Sequence, residues 1–321
     1  MKKLLVIGAC GQIGTELVQA LREKYGKKNV VASDIRKPED ENLADGLFEI
    51  IDITKVPQIE AVIEKYTIDT IYNMAALLSA TGEKMPVKCW EVNMNGVLNV
   101  LQCALKYNLQ RIIMPSSIAV FGPDTPRIDT PNDTILRPTS MYGVTKVCGE
   151  RLCDYYVKRY GVDARGLRYP GIISAETLPG GGTTDYAVEI FYKAIEEGKY
   201  TCFLGPETRL PMMYMPDCIK ATIDLAEADF DSLTHHNDFN LAAFSVTPAK
   251  LADAIRKFIP NFEIDYEPDY RQMIADSWPE SIDDSVARAE WGWKPEWDLD
   301  SMTRDMLEKL KKRYSEGTLY K

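Results

Sequence analysis

Histidine is almost absent: two residues in 321, adjacent at His235 and His236. A histidine-rich metal centre and a histidine-based triad are therefore not expected, and no metal is assigned. Cysteine occurs seven times, never as Cys-x-x-Cys. The odd count argues against a disulfide framework and for a reducing compartment. No stretch approaches the ~20 apolar residues that a membrane span needs. Positive charge is in deficit: 38 Lys and Arg stand against 48 Asp and Glu, a formal net charge of -10. That balance gives no footprint for nucleic acid or an anionic membrane. A phosphate-bearing ligand would have to be held by backbone geometry. Lys2-Lys3 before Leu4-Leu5-Val6-Ile7 imitates a signal peptide, but only four apolar residues precede Gly8. A signal core needs roughly 7–15. The run reads better as a buried first strand, and the expected location is the cytoplasm.

What is present is an ordinary globular balance, 45% apolar and 27% charged, in a length that suits one large domain or two unequal ones. The first half alternates short β-rich runs with amphipathic segments of helix length. Strands are expected at Lys3–Ile7, Asn29–Asp34, Leu47–Ile53, Asp69–Asn73, Arg111–Pro115 and Ala164–Tyr169. Helices are expected at Thr15–Lys24, Val56–Tyr66, Val87–Lys106 and Met141–Tyr160. This rhythm predicts an α/β fold, a doubly wound parallel sheet of Rossmann type. After about residue 170 the rhythm breaks at a Pro-Gly-Gly-Gly loop, and a smaller mixed α/β lobe follows. The expected division is a dinucleotide-binding domain over 1–170, to which 217–243 returns. The segments 171–216 and 244–321 would form the small substrate-binding lobe.

Gly8-Ala9-Cys10-Gly11-Gln12-Ile13-Gly14 is a Gly-x-x-Gly-x-x-Gly turn between the first strand and first helix. Such a turn lets backbone approach a pyrophosphate at a helix N-terminus. Asp34 ends the second strand 20 residues after Gly14, where a carboxylate accepts from ribose hydroxyls and repels a 2′-phosphate. This favours NAD over NADP, although Arg36 stands close by and Asp34 could simply be a turn residue before Pro38. Asp52-Ile53 ends the third strand, where an acid can meet an adenine amino group. The small residues Ala75 and Ala76 end the fourth, where a ligand can pass. A cap and close packing explain these equally well.

Ser116-Ser117 lies at the carboxyl end of the fifth strand, and Tyr142-Gly-Val-Thr-Lys146 follows 25 residues after Ser117 at a helix start. Tyr142 and Lys146, four residues apart, share one helix face. A free phenol titrates near ~10. A neighbouring ammonium stabilises the phenolate and makes it a usable base, while Ser117 holds the substrate oxygen. A lone Tyr-xxx-Lys would be only a surface pair; the glycine turn, Asp34 and Ser117 in one chain argue otherwise.

These motifs, with Asn93 and Arg168-Tyr169-Pro170-Gly171, resemble the extended short-chain dehydrogenases/reductases along nearly the whole chain. The resemblance implies Tyr142 as base and Lys146 on the nicotinamide ribose. It also implies Ser117 on the reacting hydroxyl, Asn93 positioning the lysine side and Tyr169 lining the nicotinamide pocket. Three further segments, Leu77–Glu83, Leu178–Tyr186 and Asp276–Ile282, resemble the epimerase-like, zinc-independent L-threonine 3-dehydrogenases. They imply NAD as cofactor and an amino acid among Ser79, Gly182, Thr183, Thr184 and Trp278. Hydroxyls and bare glycine amides suit a carboxylate, and an indole can exclude water. Two readings compete with the oxidation of threonine: a nucleotide-sugar epimerase or dehydratase with bound NAD, and a non-catalytic dinucleotide-sensing module. Apolar residues beyond one stripe on helices 87–106 and 141–160 suggest a homodimer, as in such families; burial against the small lobe would also account for them.

Overall fold

The computed structural model describes residues 1–38, 41–178 and 180–320. Pro179, in the expected glycine loop, lies outside the described residues. Five strands, β1 (Leu4–Ile7), β2 (Val30–Asp34), β3 (Leu47–Ile50), β4 (Thr70–Asn73) and β5 (Arg111–Ile113), join strand Ala164–Arg165 in one parallel sheet. The order is β3-β2-β1-β4-β5 and then Ala164–Arg165, so the chain winds outward in both directions from β1 and β4. This is the doubly wound fold, with its ligand crevice at the reversal of strand order.

Alternation along each strand supplies two cores. Leu4, Val6, Val30 and Ala32 face Leu17, Val18 and Leu21 of helix α1 (Gln12–Tyr25) and the helix Met215–Glu227. Leu5, Ile7, Val31 and Ile71 face Ile59, Val62, Val100 and Leu101 from the opposite layer. Ala287 and Trp293 also belong to the first of these cores, so the C-terminal third also packs against the main sheet. A third core, around Tyr186, Phe191, Phe203, Met212 and Met302, packs elements after residue 170 and runs without a break to Val120 and Tyr142.

Three expected elements are interrupted, each for a visible reason. The stretch Arg111–Pro115 stops at Ile113, and a separate strand, Ser116–Ser117, pairs with Leu167–Tyr169 in another sheet. The run Ala164–Tyr169 breaks at Gly166, where a Cβ would lie 2.5 Å from the Met114 carbonyl oxygen. The long helix after Pro86 is α-helical over Pro86–Trp90, a π turn over Glu91–Asn95, and α-helical again over Gly96–Lys106. Asn93, inside the π turn, spends its side chain on the Leu77 backbone and on Thr145. Such turns recur at functional sites.

Candidate functional site

Helix α1 begins on Gly11 with no side-chain cap, so its first backbone N–H groups keep their donor capacity for a ligand. Gly8 holds φ 86°, and Gly14 approaches so closely that a Cβ there would sit 2.1 Å from the Gly8 carbonyl oxygen. The buried Gln12 side-chain amide nitrogen has no hydrogen-bond partner. An anchored turn with an open helix start and an orphaned amide donor fits a dinucleotide pyrophosphate. Asp34 accepts from the Cys10 N–H at 3.0 Å and the Arg36 N–H at 3.1 Å. The Arg36 guanidinium stands 3.7 Å from the same carboxylate and donates to the Cys10 carbonyl.

A cleft of ≈ 480 Å³ runs from this turn past the ends of β4 and β5 to the elements after residue 170. Cys10, Gln12 and Arg36 border one end, Ser117, Tyr142 and Lys146 the middle, and Ser79, Thr184, Asp185 and Trp278 the other. Tyr142 is 8% exposed. Burial raises its phenol above the ordinary value, and the hydrogen bond with Ser117 opposes the rise. The Lys146 ammonium lies 5.4 Å from the Tyr142 ring centre and donates to the Pro115 carbonyl at 2.7 Å. Burial brings Lys146 down to about 8. Ser140 caps the helix by accepting from the Gly143 N–H, and Glu83 accepts from the Met141 N–H at 2.6 Å.

Several sequence candidates take roles one step removed from the cleft. Asp52 spends its carboxylate on the backbone and hydroxyl of Thr54, at 3.0 and 2.7 Å. Ile53 is buried under Gly96. Ala75 and Asn93 line a small chamber behind Lys146, whereas Ala76 borders both spaces. Tyr169 borders the cleft but turns its hydroxyl away to Thr222. Ser79 and Thr183 hold one another, with 2.9 Å between hydroxyls and the Thr183 N–H donating to Ser79 at 3.1 Å. That pair ties the start of the helix Ser79–Lys84 to the glycine loop. Trp278 is 4% exposed, a core side chain that also borders the cleft.

Asp185 was not among the sequence candidates. Its place before helix Tyr186–Glu196 reads as an N-cap, yet the carboxylate turns back and accepts from the Gly181 and Gly182 N–H groups, both at 2.8 Å. The Gly182 amide, expected to serve a substrate carboxylate, is thereby occupied. Burial raises Asp185 to about 6, with the two glycine amides opposing. Ser116, beside the candidate Ser117, donates to buried Glu150 at 2.6 Å.

The chain belongs to the NAD dependent epimerase/dehydratase family, whose model matches residues 4–242. Among individual relatives, an uncharacterized epimerase/dehydratase of Staphylococcus saprophyticus is 52% identical, with 97% of each chain covered. Two solved structures are as similar. An L-threonine dehydrogenase from Cupriavidus necator in its holo form is 51% identical, with TM-score 0.94, covering 96% of this chain and 100% of that one. A monomeric L-threonine 3-dehydrogenase from a metagenome is 50% identical, with TM-score 0.93, covering 96% and 99%.

Proposed function

We propose that the protein oxidises the β-hydroxyl of L-threonine to 2-amino-3-oxobutanoate with NAD. The observation that carries the reading is the cleft itself: a phenol, a serine hydroxyl and an ammonium at its centre, with the Asp185 carboxyl and the Thr184 hydroxyl at its far end. Bound NAD would supply the hydride acceptor for the β-carbon. Tyr142 takes the hydroxyl proton, and Ser117 holds the same oxygen. Lys146 keeps positive charge beside the phenolate and orients the nicotinamide ribose. Asp185 faces the substrate ammonium, and the Thr184 hydroxyl, which borders the cleft, meets the carboxylate. Leu78, Leu178 and Trp278 shield the reacting carbon from water. The similarity to two L-threonine dehydrogenases over nearly full length supports this substrate.

A nucleotide sugar would need cationic side chains for a second diphosphate. Around the far end of the cleft stand Asp185 and hydroxyl groups, and the Arg271 guanidinium is held by Asp269 at 2.7 Å and stacked on Phe203. We therefore expect L-threonine to generate NADH absorbance and UDP-sugars to give no reaction. Thr184→Ala raises KM for threonine by roughly tenfold, the ~1.4 kcal/mol scale of one hydrogen bond to a charged group. Epimerisation of a UDP-sugar without NADH from threonine would favour the competing enzyme.

The cofactor is NAD rather than NADP on the strength of Asp34. Asp34→Ser removes the acceptor for ribose hydroxyls and releases Arg36 from its partner. NAD affinity falls and NADP affinity rises, each by roughly tenfold. Equal use of both cofactors by the wild type would refute the assignment.

The protein is a homodimer by the same proposal, through the helical faces after Pro86 and along Met141–Tyr160. Val87, Trp90, Leu105, Tyr155 and Tyr160 are exposed on those helices, apolar surface that a second copy would cover. Sedimentation at monomer mass, as in the monomeric relative, would count against it. Among the described residues no helix is long and apolar enough to cross a membrane. The buried cysteines Cys89, Cys103, Cys153, Cys202 and Cys218 form no disulfide, which supports a cytoplasmic location.

A further inference from the structure

Two side chains of one helix hold the two residues that precede Ser117. Tyr142, Lys146 and Glu150 are spaced by four, so they lie along one face of the helix Met141–Tyr160. Tyr142 and Ser117 border the same cleft. Lys146 donates to the Pro115 carbonyl at 2.7 Å, and Glu150 accepts from the Ser116 hydroxyl at 2.6 Å. Pro115 and Ser116 are thus held by the helix that carries the base.

The second contact is anchored from behind. Glu150 receives both arms of the Arg168 guanidinium, each at 2.8 Å, and the two side chains are each 1% exposed. Arg168 stands opposite Ser116 in the pairing of their strands, as Tyr169 stands opposite Ser117. It also donates to the Asn132 carbonyl and the Asn240 side chain, at 2.7 and 3.3 Å. Fold stability alone gives no reason to bury such a pair, because well-packed apolar residues often serve as well or better. What the pair supplies is direction. With Ser116 committed to Glu150, the alternation of an extended strand sends Ser117 the opposite way, toward the cleft.

We propose that Glu150, acting through Ser116, is the positioning residue that sets the separation of Ser117 from Tyr142. This rests on the dehydrogenase reading for its kinetic test but not for its structural one. Glu150 also faces Lys146, where its carboxylate opposes the lowering of the ammonium by burial. The other groups around Lys146 are Tyr142 and Cys153 on the same helix and Cys89 on the helix Pro86–Trp90. Removing the carboxylate charge lowers Lys146 further, so the ammonium is lost at lower pH and the alkaline limb of turnover moves down.

Ser116→Ala is the deciding variant, because it removes one hydroxyl and leaves the Glu150–Arg168 pair intact. Turnover falls by roughly tenfold to a hundredfold, the scale of a small misplacement of reacting groups. KM for threonine, NAD affinity and Tm stay near wild type, and Ser116→Thr, which keeps a hydroxyl, recovers most of the loss. In crystals without cofactor, the Ser117 to Tyr142 separation of Ser116→Ala grows by roughly 0.5 Å or more, the tolerance of a preorganised site. Glu150→Gln shows the lowered alkaline limb; should it fail to fold, the Ser116 pair decides alone. Unchanged turnover and an unchanged separation in Ser116→Ala overturn the proposal, as does a loss that follows Tm alone. If wild-type protein forms no NADH from threonine, the substrate reading fails while the crystal comparison still decides the role of Glu150.

Discussion

Tyr142→Phe lowers turnover by roughly 10²–10⁴, the range for loss of a general base, and leaves NAD affinity nearly unchanged. The removed atom is one phenolic oxygen, and the ring stays packed in the third core. The cause of the loss is specific. Burial holds the phenol above its ordinary range in the ligand-free protein, so the base must be switched on by positive charge. Lys146, 5.4 Å from the ring, is a protein source, and a bound oxidised nicotinamide would bring a second. Wild-type turnover therefore rises with pH as the phenol ionises in the ternary complex. Phenylalanine removes that ascending limb together with the rate. Stopped-flow NADH formation across pH checks both, and a variant with near-normal turnover would remove Tyr142 from the mechanism.

The parts legible in the sequence are those fixed by local pattern. Leu4 and Val6 against Leu5 and Ile7 show the period of two that puts one strand between two helical layers. Gly8, Gly11 and Gly14 announce the turn because their spacing is itself the chemistry of close backbone approach. Tyr142 and Lys146 declare one face of a helix by their interval alone. Each of these signals lies within a dozen residues of chain.

What escaped reading depends on contacts made across the fold. Nothing local says that Gly166 will lie under the Met114 carbonyl, so one expected strand divides between two sheets. The π turn at Glu91–Asn95 holds Asn93, whose side chain reaches the Leu77 backbone, 16 residues away in sequence. Asp185 was hidden behind a familiar signal, since an aspartate at a helix start reads as a cap. Its carboxylate found the two glycine amides instead, and that changed which groups are left for a substrate. Ser116 and Glu150 are 34 residues apart, and their bond is visible only once the helix lies along the strand. Local periodicity thus located the chemistry, and tertiary contacts decided which neighbours hold it in place.

Gly14→Ala weakens NAD binding by roughly 100-fold, about 2.7 kcal/mol. The argument is steric. A Cβ at position 14 would stand 2.1 Å from the Gly8 carbonyl oxygen and 2.9 Å from the Ala9 Cα, and both are backbone atoms of the turn itself. No rotamer relieves the clash, so the N-terminus of α1 must move away from the end of β1. Its backbone donors, left uncapped at Gly11, move with it and leave the pyrophosphate position. Thermal denaturation measures the effect. At 100 times its dissociation constant, NAD stabilises the wild type by about 2.7 kcal/mol; after a 100-fold loss of affinity the same concentration gives about 0.4 kcal/mol. Gly149→Ala is the control, because nothing lies within 4 Å of its Cβ position in the middle of the helix Met141–Tyr160. It keeps the full NAD response and raises stability by up to about 1 kcal/mol through helix propensity. A wild-type NAD response in Gly14→Ala would show that the glycine turn is not where the dinucleotide sits.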